Sequence, residues 1–310
     1  MPLFYITNIM CELNTLDLHA LFKNEDYALE FAGINGMFHI GRACDSAPAC
    51  KGVYKIESDS SEKTKYRLRC SVCREKKSLL HKTIFTNARI NISTVFHLLY
   101  CWANEYSCHL TSHECKVSLN TVTNYFKKFR QACKYQIDKE SHHKIGGPGM
   151  TVEIDETVMS KRKYNSGRVI NAIWVFGGIC RETGEKFAQK VPNRKEVTLL
   201  PLIQKYIAPG STIHSDGWKG YMNINSLPES YTHLRVNHKK NFVDPETGSH
   251  IQEVERMWKE LKSIKVKYRG IQIKDIDLHI AEFLWRSKYK INHNNSFPNA
   301  IILVKNCPYG

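Results

Sequence analysis

Four consecutive residues, Gly146, Gly147, Pro148 and Gly149, divide this chain of 310 residues. No regular helix runs through such a stretch, because proline fixes φ and removes a donor while each glycine loses more conformational freedom on ordering than any other residue. The sequence before it reads as cysteine-rich and then helical; the sequence after it reads as strands alternating with helices. A domain boundary is therefore expected near Gly146.

Within the first part, residues 1–86 form one expected segment and 87–145 another. Ser93 is placed to cap a helix whose apolar positions Phe96, Leu99, Tyr100 and Ala103 recur at helical spacing. Ser118 is placed to cap a second, with Val122, Phe126, Phe129 and Cys133 on its buried side and Asn120, Thr121, Asn124, Lys127, Lys128 and Gln131 on the other. Thr111–Val117 has room for a short helix and a turn. The segment then reads as a helix-turn-helix with its polar face in a DNA major groove, or as an ordinary helical bundle with a solvated face. Lys127 and Lys128 are the DNA-contact candidates of the first reading.

The eleven cysteines are odd in number and scattered, the pattern of reduced thiols in a reducing compartment. Cys70 and Cys73 have the two-residue gap of a metal knuckle and follow Cys50 at a zinc-ribbon interval, while Cys44 and Cys50 form a wider pair. Cys44, Cys50, Cys70 and Cys73 are the candidate zinc ligands, the alternative being buried thiols without metal. Cys101, Cys108, Cys115 and Cys133 read as thiols in helix cores.

After the glycine run, TVEID (Thr151–Asp155), Val169–Cys180 and Lys186–Val191 read as strands, Thr198–Ile207 as a helix, Ser211–Asp216 and Tyr231–Val236 as strands, and Gln252–Ile264 as a helix. This order fits a mixed sheet with helices on its faces, an α/β fold. Alternation in TVEID sends Glu153 and Asp155 to one face, and Asp155 and Asp216 each end a strand. If those strands are parallel neighbours, two carboxylates emerge together, an arrangement that repels unless a cation sits between them; hard ions such as Mg²⁺ favour such oxygens. In the last helix, Val254, Met257, Trp258 and Leu261 form the buried stripe and Glu255 lies at its margin, with Lys259 and Lys262 on its own face as phosphate candidates.

Four runs carry a resemblance: VEIDETVMSKRKYNSGR (Val152–Arg168), SDGWKGY (Ser215–Tyr221), VNHKKNFVDPETGSH (Val236–His250) and QEVERMWKELK (Gln252–Lys262). Together they resemble the Merlin-type DDE transposases and their insertion-sequence relatives over residues 146–290. The resemblance implies a ribonuclease H-like catalytic domain there, preceded by a zinc-ribbon-like segment (1–86) and a helix-turn-helix-like region (87–145), and followed by a tail (291–310). It implies Asp155, Asp216 and Glu255 as the catalytic carboxylates holding two Mg²⁺ or Mn²⁺ ions, with Glu253 as the fallback for the third. Sixty residues separate the first two acids and 38 the second and third. The expected activity is metal-dependent cutting and joining of double-stranded DNA at terminal inverted repeats and at a target, in a homo-oligomer. A non-catalytic DNA-binding protein derived from a transposase and a structure-specific nuclease of the same fold are the alternatives.

Charge agrees with a polyanionic partner. The chain carries 45 Lys and Arg against 30 Asp and Glu, +15, with +6 in Met1–Met150 and +9 in Thr151–Gly310. Basic residues spread over both halves suit a nucleic-acid backbone, since each neutralised phosphate releases counterions. Lys161, Arg162, Lys163 and Arg168 are further phosphate candidates. His214, His238 and His250 read as hydrogen-bonding or DNA contacts rather than metal ligands, and Trp218 and Tyr221 as packing residues. No apolar run approaches the ~20 residues that span a bilayer. The expected location is intracellular, the nucleus in a eukaryotic host and the cytosol in a bacterial one.

Overall fold

The computed structural model describes residues 14–62, 64–160, 172–236, 250–267 and 271–308, and the chain separates into two compact units, 1–136 with 291–310 and 137–290. Lys161, Arg162, Lys163, Arg168 and His238 lie outside the described residues.

The first unit begins with helices α1 (Thr15–Leu21) and α2 (Glu25–Ile34), followed by a three-stranded antiparallel sheet of β1 (Tyr54–Ser58), β2 (Tyr66–Cys70) and β3 (Lys76–Ser78). Three helices follow, α3 (Ile92–Ala103), α4 (Cys108–Glu114) and α5 (Leu119–Lys139). Its core is aromatic: Phe22 stacks on Phe96 with ring centroids 4.6 Å apart and meets Phe31 edge-on at 5.1 Å. The expected cap at Ser93 is replaced by a long-range one. Helix α3 starts at Ile92, and the N–H groups of Ile92 and Ser93 donate to the Glu25 carboxylate at 2.9 and 3.3 Å. The cap at Ser118 is as expected, its Oγ accepting from Thr121 N–H at 3.1 Å. Four residues, Cys115–Ser118, separate α4 from α5, whose buried side holds Val122, Tyr125, Phe126, Phe129, Ala132 and Cys133. Cys108 and Cys115 are only partly buried, unlike Cys101 and Cys133.

The second unit is built on a five-stranded mixed sheet. Strands β4 (Thr151–Ser160), β5 (Ile173–Cys180) and β6 (Lys186–Val191) pair antiparallel, and β7 (Thr212–Asp216) and β8 (Thr232–Val236) add parallel on the other edge of β4. The order is β6-β5-β4-β7-β8. Side chains alternate between two cores. Val152, Ile154, Phe176 and Ile213 pack with Leu199 and Ile203 of α6 (Glu196–Tyr206) on one face. Met159, Val175, Ile179 and Ala188 pack on the other with Val254, Met257, Trp258 and Leu261 of α7 (Gln252–Lys267) and with Ile276, Ile280 and Phe283 of α8 (Ile276–Lys288). Both faces of the sheet are thus covered, the condition under which parallel strands are stable.

Three sequence expectations change. The glycine run is not a loose joint: Ile145 bridges to Ile207, and Gly147 N–H donates to Ser211 Oγ at 2.9 Å. Gly146 has φ +82°, and a Cβ there would lie 2.7 Å from both Ser211 Oγ and Val152, so glycine is needed for this close approach. The two compact units meet in the chain at Gln136 and Ile137, within the last turn of α5. Residues 291–310, expected as a tail, belong to the first unit and carry helix α9 (Ser296–Asn306), which buries Phe297, Ala300, Ile301, Leu303 and Val304. The third change concerns Asp155, which does not end its strand. Strand β4 runs five residues further because it stays paired with β5 as far as Ser160.

Candidate active site and metal centre

The carboxylates are placed by strand register. Strands β4 and β7 pair in parallel with Thr151 opposite Thr212 and Glu153 opposite His214. The same offset sets Asp155 level with Asp216, one alternation beyond the last ladder pair, and both side chains leave the same face. That face carries α7. Trp258 of α7 donates its indole N–H to Asp155 Oδ2 at 3.0 Å. Gly177 permits this: it lies opposite Asp155 on β5, and a Cβ there would sit 2.7 Å from the Trp258 ring.

The acids act on one another electrostatically. Burial pushes the Asp155 carboxyl up to about 7, and the charges of Asp216 and Glu255 push in the same direction. Glu156 points to the opposite sheet face and is pushed up to about 8, again by burial first and then by Asp155 and Asp216. Glu255 is exposed on α7, as are Lys259 and Lys262. Glu253 is engaged elsewhere, its carboxylate 2.6 Å from Arg256. A buried carboxyl whose ionisation is opposed by burial and by neighbouring acids is short of positive charge, and oxygen donors of this kind fit a divalent ion.

Sequence reasoning missed what holds α7 in place. Glu153, fully buried, accepts the backbone N–H groups of Glu253 and Val254 at 2.9 and 3.1 Å, which are free donors at the start of the helix. Its other oxygen takes Arg181 Nε at 2.6 Å, and His250 Nδ1 lies 3.3 Å away. Arg181 continues the network, donating to His250 O at 2.6 Å and reaching His214 Nδ1 at 3.0 Å. Burial, then the Arg181 charge, pushes His214 down to about 4, so it is neutral at pH 7 and serves as a hydrogen-bond partner. The signal was present in TVEID, where alternation puts Glu153 beside Asp155, but its partners are distant in sequence.

A second site lies in the first unit. Cys44, Cys50, Cys70 and Cys73 place their sulfurs within 4.8 Å of one another. Cys44 and Cys73 are 3.7 Å apart and Cys50 and Cys70 are 3.6 Å apart. A tetrahedral ion with metal–sulfur bonds of ~2.3 Å needs sulfur–sulfur edges of about 3.8 Å. The spacing therefore fits one ion, and each cysteine of the wide Cys44–Cys50 pair meets one of the Cys70–Cys73 knuckle. Gly52 makes room, since a Cβ there would come 2.4 Å from Cys70 Sγ. Around the cluster, Tyr54 O–H donates to Asp45 Oδ1 at 2.5 Å, and Asp45 is also paired with Lys82 at 2.6 Å. Lys127 and Lys128 of α5 are half-buried, and Lys128 Nζ rests 5.0 Å from the Tyr125 ring.

Residues 144–288 match the ISXO2-like transposase domain. An uncharacterized transposase-like protein of Haemophilus influenzae is 30% identical over 96 residues, 31% of this chain and 75% of that protein. The chain belongs to an insertion-sequence-like transposase family. The family match takes in Asp155, Asp216 and Glu255, and Glu153 with its network, so the site described above lies wholly within the transposase domain. Among solved structures, the catalytic core domain of BIV integrase is similar at 19% identity, covering 46% of this chain and 80% of that one with a TM-score of 0.29. The HTLV-2 integrase catalytic core domain in complex with magnesium is similar at 13% identity, 45% and 84% coverage and a TM-score of 0.29. The assignment of the transposase family rests on sequence and not on these weak superpositions. No helix among the described residues is long and apolar enough to cross a membrane.

Proposed function

We propose that this protein is a DNA transposase of the Merlin-like DDE kind, with a ribonuclease H-like catalytic domain whose Asp155, Asp216 and Glu255 hold divalent metal. The observation that carries the reading is the level placement of Asp155 and Asp216 on one face of adjacent parallel strands, with Glu255 acting on the same field, inside a transposase domain. Glu255 is preferred to Glu253 as the third acid because Glu253 is paired with Arg256. Mg²⁺ or Mn²⁺ bound there would activate water or a 3′-hydroxyl and stabilise the leaving oxygen of a phosphodiester. The chain's own residues do the rest: the carboxylates supply oxygen donors, Trp258 orients Asp155, and Glu153 fixes the helix that carries Glu255. Surface cations hold the backbone; Lys259 and Lys262 extend from the same helix, and Lys161, Arg162, Lys163 and Arg168 belong to the segment that follows β4. Double-stranded DNA, as terminal inverted repeats and as target, is the proposed substrate, and pairing of two ends calls for a homo-oligomer.

The test is a nicking and joining assay with Mg²⁺ or Mn²⁺ on the matched element end. Asp216→Asn and Glu255→Gln should abolish both reactions while leaving DNA binding intact, and Glu253→Gln should retain most activity. Activity surviving both of the first two substitutions removes the assignment. Tight DNA binding without metal-dependent cleavage would identify a non-catalytic derivative, and cutting at junctions without preference for repeat ends a nuclease.

For the first unit we infer a zinc-ribbon-like module with Zn²⁺ on Cys44, Cys50, Cys70 and Cys73, and a helix-turn-helix-like DNA contact through α5, with Lys127 and Lys128 near its polar side. The amide N–H of Ser46 leads the effects that hold the Cys44 thiol down to about 6, which favours the thiolate a metal needs. Purified protein is expected to release one zinc per chain to a chromogenic chelator after thiol oxidation, and Cys70→Ser to release none. Removal of the metal should unfold β1–β3, because a structural zinc site of this kind supplies folding free energy directly. Retention of native near-ultraviolet circular dichroism after complete zinc removal would show that the cluster does not hold the sheet.

A further inference from the structure

Arg194 lies in the turn between β6 and α6, and its guanidinium is held between two indole rings. The guanidinium carbon is 4.1 Å from the centroid of Trp174 and 4.1 Å from that of Trp218. The slot is rigid on the Trp218 side. That ring donates its N–H to the Arg194 backbone carbonyl at 2.8 Å, and the Trp218 backbone N–H donates to Asp216 Oδ1 at 2.9 Å. Gly220 closes in behind, where a Cβ would stand 2.9 Å from the same carbonyl and 3.0 Å from the Trp218 ring nitrogen. The turn itself is pinned by Asn193, whose Oδ1 accepts from Lys195 N–H and Thr198 O–H at 2.9 and 2.8 Å.

A guanidinium packed against the faces of two indole rings leaves its chemistry to its edge. The five N–H donors lie in the plane, where neither ring can accept from them. Among the described residues no carboxylate lies within ion-pair distance of Arg194 and its guanidinium donors meet no acceptor; its charge reaches the buried Glu156 carboxyl only at longer range, holding it down against the effect of burial. It is half-buried, so the edge is reachable from solvent. A fixed, always charged, planar donor set whose flanking Trp218 is tied through its backbone N–H to the proposed catalytic Asp216 suits a tetrahedral oxyanion.

We propose that Arg194 is a contact for a backbone phosphate of the DNA strand that lies against the Asp216 end of the sheet. The proposal rests on the transposase reading and adds to it a residue that no motif in the sequence marks. The two tryptophans hold the guanidinium in one orientation, so no side-chain ordering is needed when the strand arrives. Trp218 ties the phosphate contact to the carboxylate by one residue, coupling the position of the backbone to that of the metal site.

The experiment measures binding of the full-length protein to a duplex element end by fluorescence anisotropy over a salt series, in EDTA so that cleavage plays no part. One phosphate contact contributes about 0.9 to the slope of log K against log salt. Arg194→Gln is expected to lower the slope by about that amount and to weaken binding about eightfold at about 0.1 M salt. Arg194→Lys should keep the slope. An unchanged slope in Arg194→Gln overturns the phosphate contact alone, whereas wild-type protein with no salt-dependent affinity for any duplex overturns the transposase reading as well. If Arg194→Gln does not fold, a single-position methylphosphonate scan replaces it. Near the cleavage site, one neutralised phosphate should weaken wild-type binding several-fold and Arg194→Lys binding by less; the absence of any position sensitive to residue 194 overturns the proposal.

Discussion

Asp155→Asn should make the metal-free protein more stable at pH 8 while destroying its catalysis. Burial and the neighbouring acids raise the folded-state carboxyl from 3.8 to about 7. The native state therefore holds a proton that the unfolded chain has lost, and stability falls as pH rises from about 4 through 7. A tenfold change in proton affinity is worth about 1.4 kcal/mol, which places the burden of ionising this carboxyl on the order of a few kcal/mol at pH 8. Asparagine carries no charge and still offers an oxygen to the Trp258 N–H. Thermal unfolding in EDTA should show the parent midpoint dropping between pH 5 and 8 and the variant dropping less, by roughly 5 °C or more. Glu156, raised from 4.5 to about 8 by burial and then by the Asp155 charge, adds to the fall in both proteins and adds less in the variant, so its change acts in the same direction as that of Asp155. Mg²⁺ should stabilise the parent, because an ion that binds only the folded state shifts the equilibrium, and should stabilise the variant much less. Strand cleavage should fall by about a thousandfold or more, as expected from losing several kcal/mol of transition-state stabilisation. A variant less stable than the parent at pH 8 in EDTA would show that the Asp155 carboxyl carries no such ionisation burden, and one equally stabilised by Mg²⁺ would show that Asp155 is not part of a metal site.

That trade is legible in the sequence only in part. Alternation in TVEID puts Asp155 on the face away from Val152 and Ile154, and the structure agrees. The end of the strand is not legible there because nothing local stops it: Thr157 and Val158 favour strand, and pairing with β5 carries it on. The glycine run is informative for a second reason. Its glycines break helix, and Gly146 also serves a close approach to Ser211 and Val152. Helix α9 has Phe297, Ala300, Ile301 and Val304 at helical spacing, yet a short final segment reads as a tail until its apolar stripe is seen buried. What no window of sequence contains is a cap supplied from far away. Glu25 caps α3 across 67 residues, and Glu153 caps α7 across 100. Both are acids at ordinary positions whose function exists only once the chain has folded. The slot around Arg194 is of the same kind, since Trp174 and Trp218 lie on opposite sides of it in the sequence.

Glu153→Ala is therefore expected to be the most damaging single change outside the catalytic acids. It leaves the Arg181 guanidinium without its buried partner and two N–H groups of α7 without acceptors, at 0% exposure for the Glu153 side chain. Breaking a buried pair in this way costs about 3–5 kcal/mol, enough to lower the thermal midpoint by roughly 10 °C in a unit of this size. Glu153→Gln separates stability from positioning. Its carbonyl oxygen can still accept from the helix, but its amide presents donors to Arg181, so the start of α7 shifts while the core beneath it stays packed. The helix carries both Trp258, which holds Asp155, and Glu255, so a small displacement disturbs two of the three acids at once. Glu153→Gln should accordingly bind DNA as the parent does, with an unchanged salt slope, while its strand cleavage falls and the Mg²⁺ concentration needed for half-maximal activity rises. Glu153→Asp, which keeps the charge on a shorter stem, should recover part of that loss. If Glu153→Gln lowered stability but left the Mg²⁺ requirement and the cleavage rate unmoved, Glu153 would be a fold-stabilising acid only, and the position of α7 would be set by its apolar stripe alone.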